Sequence, residues 1–386
     1  MPYLPALQHR RRGFSLVELM VALTIGIVLV LVVTTMMARY EGSRRTLTST
    51  NDAAQTGAYL SYLLDQELRS AGSGLTQNRA QVWGCEILAA RAGVQILPHP
   101  AAFAAPFAAL PRSVRLLPVL IHAGAGAGGS DVLAIASGAH GMAEASMVVA
   151  NAGITSNSLR LGNTVGVSPN DLLLLSGSLG RCMVQHVSEV EQAENAAPSV
   201  GLGGTYHAET ISGTHLTDFN HTPVARISML GSAAPTANPP RLLLLGLGNG
   251  GQLMSLDLLQ INGNAVPTLM ADGVVALRAL YGVDANGDGM VDAWVAPTAA
   301  GFDAATLAVA PLQRLEQIMA VRVDMVLRND LVERAAVAPA SLTLFADLAA
   351  EQQQVYNIPE AQRQQRHRLV SVSAPLRNVM TAVRGL

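Results

Sequence analysis

The stretch Arg12-Gly13-Phe14-Ser15-Leu16-Val17-Glu18-Leu19 opens an apolar run that continues to residue 38 and decides how this chain of 386 residues is built. Only one side chain of residues 14–38, that of Glu18, is ionisable. A helix of about 20 apolar residues is long enough to cross a bilayer. The basic segment His9-Arg10-Arg11-Arg12 in front of the run predicts a cytoplasmic N-terminus, with the bulk of the chain across the membrane.

The run differs from an ordinary secretory signal peptide. It is longer than the about 7–15 apolar residues of such a signal, and no small-residue cleavage site follows it directly. A carboxylate in hydrocarbon costs several kcal/mol unless a cation pairs with it, so Glu18 is expected to have a function. We therefore expect an inner-membrane protein with a single pass and a head in the periplasm of a two-membrane bacterium.

The same stretch resembles the type III signal of type IV prepilins and pseudopilins. The resemblance implies that prepilin peptidase cuts between Gly13 and Phe14 on the cytoplasmic face and methylates the new Phe14 amine. It also implies that Glu18 offers its carboxylate to the N-terminal amine of a neighbouring subunit during assembly. A carboxylate and an ammonium are each costly in lipid and less costly as a pair. The alternative is a plain membrane anchor in which Glu18 has no such role.

Helical spacing continues beyond the span. Leu60, Leu63, Leu64 and Leu68 fall on one face of a helix, and a stop signal follows at residues 71–74. One long helix over about residues 14–69 is the simplest interpretation. We therefore divide the chain into a leader (1–13), a transmembrane half-helix (14–38), an amphipathic half-helix (39–71) and a globular pilin head with insertions (72–386).

The head has the pattern of a β-rich domain. Short runs rich in Val, Leu and Ile, separated by Gly, Pro, Asn and Asp, predict strands at residues 113–121, 132–136, 171–175, 241–245 and 274–281. The run at 172–175 does not alternate with polar residues, which indicates a strand buried on both faces; a buried helix is the alternative, because periodicity alone does not separate the two. Residues 98–111, 195–204 and 233–240 have the composition of loops. We expect an α+β fold in which the long helix packs on this head.

Composition excludes binding by bulk charge and predicts an aliphatic core. Aromatic residues make up only 4% of the chain and charged residues 13%. A net charge of -2 gives no electrostatic reason to bind nucleic acid. Cys85 and Cys182 both follow the span and would meet an oxidising compartment, where a pair usually forms a disulfide. Two free buried thiols are the alternative.

The segment from Asp284 to Asp292 has the residue types of a calcium-binding loop. Such a loop uses side-chain oxygens at positions 1, 3 and 5, a glycine at 6, a backbone carbonyl at 7 and a further ligand at 9. The expected Ca²⁺ ligands are Asp284, Asn286, Asp288, Met290 and Asp292. Val295 stands at position 12, where an EF-hand has a bidentate Glu, so the shell is incomplete. The alternative is a solvated turn that uses Asp and Gly for backbone geometry alone.

Three phrases resemble the PilW-type minor pilins of this filament superfamily: Gly129-Ser130-Asp131-Val132-Leu133 their first head strand, Tyr281-Gly282-Val283-Asp284 their internal loop, and Leu376-Arg377-Asn378 their terminal strand. The resemblance implies a protein that joins other minor pilins, the major pilin and a tip adhesin to prime and cap a pilus. It would thereby serve pilus-dependent motility, adhesion or DNA uptake.

Two other functions stay open. The nearest is a pseudopilin of type II secretion, which shares the peptidase signal. The other is a membrane-anchored, calcium-dependent binding module whose leader stays uncut. No G-x-S-x-G or H-E-x-x-H pattern occurs in the chain, so we expect no enzyme.

We predict cleavage after Gly13 and its loss in Gly13→Leu, because the resemblance puts this glycine at the cleaved bond. Intact-mass measurement on protein from cells with active prepilin peptidase should give a wild-type chain that begins at methylated Phe14. The variant should keep its leader, whereas Gly26→Leu, a control within the span, should be processed. A wild-type chain that retains Met1, or loses Met1 alone, would contradict the prediction.

Overall fold

The computed structural model describes residues 13–139, 146–192, 197–234 and 239–384, so the expected leader lies outside the described residues apart from Gly13. Its elements confirm the α+β class, because one long helix precedes a region built mainly from strands. The chain divides into two compact units, Met1–Asp52 and Ala53–Leu386. The helices are α1 (Leu16–Ser70), α2 (Arg79–Val82), α3 (Ala304–Leu307), α4 (Leu312–Glu316) and α5 (Arg377–Arg384).

Helix α1 confirms the single long helix that the sequence predicts. Its part Leu16–Glu41 has a mean hydropathy of 2.9 and is long and apolar enough to cross a membrane. Side chains of this part are exposed on all sides, as a lipid-facing helix requires. Further along, Leu60, Leu64 and Leu68 are fully buried on one side of the helix, at the predicted spacing.

The strands follow α2 and are distributed over the rest of the described chain. In order they are β1 (Glu86–Arg91), β2 (Val94–Leu97), β3 (Val119–His122), β4 (Val132–Ser137), β5 (Met147–Ile154), β6 (Ser158–Leu161), β7 (Asp171–Ser176), β8 (Arg181–Glu191), β9 (Ser199–Leu202), β10 (Thr210–Ile211), β11 (Thr214–His215), β12 (Arg226–Ser232), β13 (Arg241–Gly248), β14 (Gln252–Asp257), β15 (Thr268–Ala271), β16 (Val274–Val283), β17 (Ala293–Val295), β18 (Ile318–Val332), β19 (Ser341–Leu344), β20 (Gln354–Asn357) and β21 (Gln365–Pro375).

Two antiparallel sheets contribute to the main core together with α1. One has five strands in the order β15-β14-β13-β4-β3, and the other has four in the order β17-β16-β18-β21. Their inner faces and the buried leucines of α1 belong to one hydrophobic cluster. The hairpin of β19 and β20 covers the other face of the four-stranded sheet with a smaller apolar cluster that includes Leu344 and Phe345.

A closed ring of six antiparallel strands forms a separate part of the head. Strands β7, β12, β5, β6, β9 and β8 pair in that order, and β8 pairs with β7 to complete the ring. Strands β4 and β13 flank the ring in the chain, yet they pair directly with each other, with Ser137 opposite Arg241. Residues 138–240 are therefore an insertion into one hairpin of the five-stranded sheet.

Strand β7 joins the ring to the main core and confirms the predicted burial on both faces. Leu173 and Leu175 belong to the apolar cluster inside the ring. Leu172 and Leu174 belong to the main core. Successive side chains of a strand point to opposite faces, so an unbroken leucine run is what a strand between two cores requires.

Close packing and an ion pair hold the buried side of α1 against the sheets. A Cβ atom at Gly57 would lie 2.9 Å from Cγ2 of Val370 in β21, so glycine permits this close approach. Further along, the carboxylate of buried Glu67 accepts a hydrogen bond from the guanidinium of Arg241 in β13. Burial raises the pKa of Glu67, and the charge of Arg241 opposes that rise. A buried carboxylate thus has its cation on the neighbouring sheet.

The last turn of α1 is capped by a residue more than 300 positions later in the chain. Nδ2 of Asn378, in α5, lies 3.1 Å from the carbonyl oxygens of Ser70 and Ala71 and 3.4 Å from that of Arg69. The final carbonyls of a helix have no partner within the helix. One amide therefore satisfies the end of α1 and ties the C-terminal segment of the chain to it.

Several boundaries differ from the sequence predictions. Residues 199–202, expected in a loop, form β9, because pairing with β6 and β8 outweighs their local composition. Strand β3 begins at Val119, so residues 113–118 of the predicted strand lie outside it. Leu376-Arg377-Asn378 follows β21 and begins α5 instead of forming a terminal strand. Tyr281–Val283 belongs to β16, and the internal loop starts at Asp284.

We predict that Asn378→Ala lowers the free energy of unfolding by about 0.5–1.5 kcal/mol, the usual net contribution of a hydrogen bond, because the amide and the carbonyls it caps are partly buried. Urea denaturation of the full chain in detergent, followed by circular dichroism, measures the change. Thr381→Ala is the matched control, because this exposed residue of α5 bonds only within its own helix. Equal stability of Asn378→Ala and Thr381→Ala would contradict the claim that Asn378 stabilises the fold by capping α1.

Candidate functional site

The start of α1 carries the residues that are expected to be processed and to guide assembly. Gly13 and Phe14 precede the helix, and Glu18 lies in its first turn. Phe14 is 84% exposed, and Glu18 is exposed as well. A carboxylate in the first turn interacts favourably with the partial positive charge of a helix N-terminus. The structure thus brings these three residues together at an accessible helix end.

The span itself offers Glu18 no counter-charge. Residues 14–38 include no Arg, Lys or His. In hydrocarbon, a cation for this carboxylate must therefore come from outside residues 14–38. Ion pairing of Glu18 with such a cation stays a prediction.

The acidic loop follows β16 and is held by hydrogen bonds of its own. Both oxygens of the buried Asp284 carboxylate accept backbone N–H groups, from Gly287 and from Gly289, each at 2.6 Å. Both glycines adopt φ near +80°, a conformation that other residues rarely take. The carboxylate of Asp292 accepts the backbone N–H of Asn286 at 3.2 Å. The loop is thus a specific turn around two carboxylates.

The predicted calcium ligands lie in this loop, but the structure does not test whether they bind Ca²⁺. Asp284 is buried, whereas Asp288, Met290 and Asp292 are exposed. Over the described ranges, no group of three His, Cys, Asp or Glu side chains is placed to hold a metal. Asn286 Nδ2 lies 3.2 Å from carboxylate oxygens of both Asp288 and Asp292. Carboxylate oxygens retain further lone pairs, so the donor types suit Ca²⁺ and calcium binding stays a prediction.

The structure pairs the two cysteines, as the sequence predicts. Cys85 and Cys182 form a disulfide with their Cα atoms 5.8 Å apart. Cys85 immediately precedes β1, and Cys182 lies in β8, next to which β1 runs parallel. The bond therefore fastens a segment outside residues 138–240 to a strand of the inserted ring.

Two known family models match separate segments of the chain. Residues 8–34 match the prokaryotic N-terminal methylation motif. Residues 246–378 match the type IV pilus-assembly protein W, PilW. The chain thus matches both family models, each over a separate segment. No curated protein and no solved structure matches it.

These matches confirm the resemblance drawn from the sequence and agree with a type IV minor pilin. The methylation motif overlaps the apolar part of α1 that is long enough to cross a membrane. The PilW match begins inside β13 and ends at Asn378, so it contains the acidic loop and the residue that caps α1. It excludes the inserted ring, which precedes it in the chain.

Polar contacts of Asp131 join the first PilW-like phrase, residues 129–133, to β16. The carboxylate of buried Asp131 accepts the backbone N–H groups of Gly124 and Ala279, each at 2.9 Å. Its own N–H donates to the carbonyl of Leu277 at 2.9 Å, and Arg278 lies 3.6 Å from its carboxylate. Burial raises the pKa of Asp131, and the two N–H groups and Arg278 oppose that rise. These contacts of Asp131 connect the five-stranded sheet to the four-stranded sheet of the PilW region.

The second phrase contributes a similar connection. Tyr281 is fully buried, and its hydroxyl accepts the backbone N–H of Ile121 in β3 at 2.6 Å. Burial raises the pKa of Tyr281 well above its usual range. Strand β3 is the edge of the five-stranded sheet, so this hydroxyl satisfies an edge group that no neighbouring strand pairs.

Sequence reasoning identified these phrases but assigned them no contacts. Asp131 and Asn378 looked like members of short strands. The side chain of Asp131, however, bonds to Ala279, 148 positions away, and that of Asn378 bonds to Ser70, 308 positions away. A buried polar residue beside an apolar run is the signal that could have marked Asp131, because such a group needs a partner.

We predict that Ca²⁺ raises the melting temperature of the full chain in detergent relative to chelator. The stabilisation grows with free ion and reaches about 2.7 kcal/mol at a hundredfold excess over Kd. Asp288→Asn with Asp292→Asn should remove the difference, because both exposed positions lose their charge. Each amide oxygen can still accept the backbone N–H groups of the turn, and Asp284 is left intact. Asp330→Asn, an exposed carboxylate outside the loop, is the control. If wild type and the double variant melt alike in both solutions, the loop is only a turn.

Proposed function

We propose that this chain is a minor pilin that takes part in priming and capping a type IV pilus. Prepilin peptidase would release it from its leader, and other minor pilins, the major pilin and a tip adhesin would be its partners. The observation that carries the proposal is the presence of the methylation motif and the PilW region on one chain. Motility, adhesion or DNA uptake would depend on it through the pilus.

The single carboxylate of the span supports a role in assembly. Breaking a buried ion pair costs about 3–5 kcal/mol, because one charge is left without a partner. A cleaved neighbouring subunit offers an N-terminal amine in the same apolar layer, where it too needs a counter-charge. Glu18 and that amine therefore satisfy each other only when two subunits meet.

The head supports a periplasmic location before assembly. The Cys85–Cys182 disulfide belongs to an oxidising compartment, which for an inner-membrane protein is the periplasm. The three arginines before the span favour the same orientation. After assembly, the head would lie in the filament or at its tip.

The size and the PilW region favour a pilus over a secretion pseudopilus. Deleting the gene separates the two, because a minor pilin should affect piliation whereas a pseudopilin should affect export by type II secretion. A membrane-anchored calcium module would leave both unchanged.

We predict that Glu18→Ala lowers piliation at least about tenfold in cells that carry only this variant, since a tenfold change corresponds to about 1.4 kcal/mol and the lost pair is worth more. The variant should still insert and lose its leader, because its apolar run and Gly13 are unchanged. Electron microscopy of surface pili gives the readout.

Thr24→Val is the matched control for this experiment. Thr24 lies in the same span, and its hydroxyl bonds only to the carbonyl of Val21 in its own helix. Piliation by Glu18→Ala at the level of Thr24→Val would contradict the pairing of Glu18 with a neighbouring amine.

A further inference from the structure

An apolar pocket of about 420 Å³ lies on the face of the five-stranded sheet. Side chains from three neighbouring strands, Leu120 of β3, Ala134 of β4 and Leu244 of β13, form its floor. The segment that contains Phe103 and Leu110 lines another part of it. Helix α3 and the residues after it complete the lining with Ala304, Ala305, Ala308 and Val309. The volume falls within the range of about 300–1,000 Å³ typical of small-molecule sites.

Three side chains with polar groups line the pocket, and two of them have partners in the protein. The hydroxyl of Ser113 donates to the carboxylate of Glu86. The guanidinium of Arg115 donates to the carbonyls of Gly84 at 3.1 Å and Gly180 at 3.4 Å. The third side chain is His122, for which no hydrogen bond occurs within the described part of the chain.

His122 is therefore a polar side chain of the lining with both ring nitrogens open to a ligand. Burial lowers the pKa of its imidazole to about 4, so the ring is neutral near pH 7. A neutral imidazole has one nitrogen that donates and one that accepts a hydrogen bond. A ligand with a hydroxyl group can use either nitrogen, whichever tautomer the ring adopts.

The remaining lining selects against charge. A charged group that leaves water for an apolar pocket needs a counter-charge and hydrogen bonds. Nη1 of Arg115 serves two backbone carbonyls, Glu86 accepts from Ser113, and most of the remaining lining residues are apolar. A neutral ligand avoids the cost of taking a charge out of water and still satisfies His122.

We propose that this pocket binds a small, neutral, mainly apolar molecule whose single hydroxyl group hydrogen-bonds to His122. An aromatic alcohol or phenol has this chemistry. Its ring would lie against Leu120, Ala134 and Leu244, and its hydroxyl would reach the imidazole. This site is separate from the acidic loop and from the residues of the N-terminal helix.

The test uses the full chain in lipid nanodiscs and ¹⁹F NMR, with empty nanodiscs as the blank for partition into lipid. The probes are 4-(trifluoromethyl)phenol, its analogue 4-methylbenzotrifluoride, which has no hydroxyl, and 4-(trifluoromethyl)benzoate, which is charged. We expect saturable binding of the phenol, about three- to tenfold weaker binding of the methyl analogue as for the loss of one hydrogen bond, and weaker binding still of the benzoate.

Three variants assign the binding to this pocket. His122→Phe keeps the shape of the ring and should remove the preference for the phenol over its methyl analogue. Ala134→Trp fills the floor and should abolish binding of both probes. Ala305→Trp, at an exposed position of the lining, should do the same and decides the matter if Ala134→Trp unfolds in a thermal melt.

The proposal fails if the phenol gives no saturable signal beyond that of empty nanodiscs. It also fails if binding survives in the folded tryptophan variants, because the site then lies elsewhere. A phenol preference that persists in His122→Phe would remove the role of the imidazole. Tighter binding of the benzoate than of the phenol would overturn the assignment of a neutral ligand.

Discussion

Burial of one side of helix α1 is the interaction on which the head depends. Leu60, Leu64 and Leu68 are fully buried between the sheets. Burying one leucine contributes about 1.5–3 kcal/mol, so the three together are comparable with the net stability of about 5–15 kcal/mol of a whole domain. The final half of the helix therefore cannot leave the head without loss of the fold. Asn378 and Glu67 add specific polar contacts to the apolar packing of α1.

The PilW-like phrases gain a physical meaning from these contacts. Asp131 joins the two sheets of the main core, Tyr281 closes the edge of one of them, and Asn378 caps α1. Each is a polar group that satisfies backbone atoms of another element, and a buried polar group left unpaired is costly. The inserted ring lies between Asp131 and the PilW region in the chain, and a disulfide and strand β7 tie it to the same core. A large insertion is tolerated there because β4 and β13 still pair directly.

The structural features predicted most reliably from the sequence are those that depend on residues close together in the chain. The apolar run that is long enough to cross a membrane and the buried face of α1 follow from linear spacing, and the leucine run at 172–175 predicted two-sided burial. Closure of the ring depends on the pairing of β8 with β9, which no local pattern encodes. The strand at 199–202 was mistaken for a loop because its Gly and Ser content outweighed the long-range pairing that forms it. The pocket joins residues from 103 to 309, so only the folded chain brings its wall together.

Peptide mass spectrometry of filaments sheared from cells tests the central claim most directly, because it asks whether one chain supplies both a processed pilin helix and a PilW head to the pilus. The account predicts head peptides from residues 246–378 in the sheared fraction, at a level well below the major pilin. It also predicts an N-terminal peptide that begins with methylated Phe14 in the same fraction. Head peptides found only in the inner membrane of piliated cells, on chains that retain their leader, would contradict it.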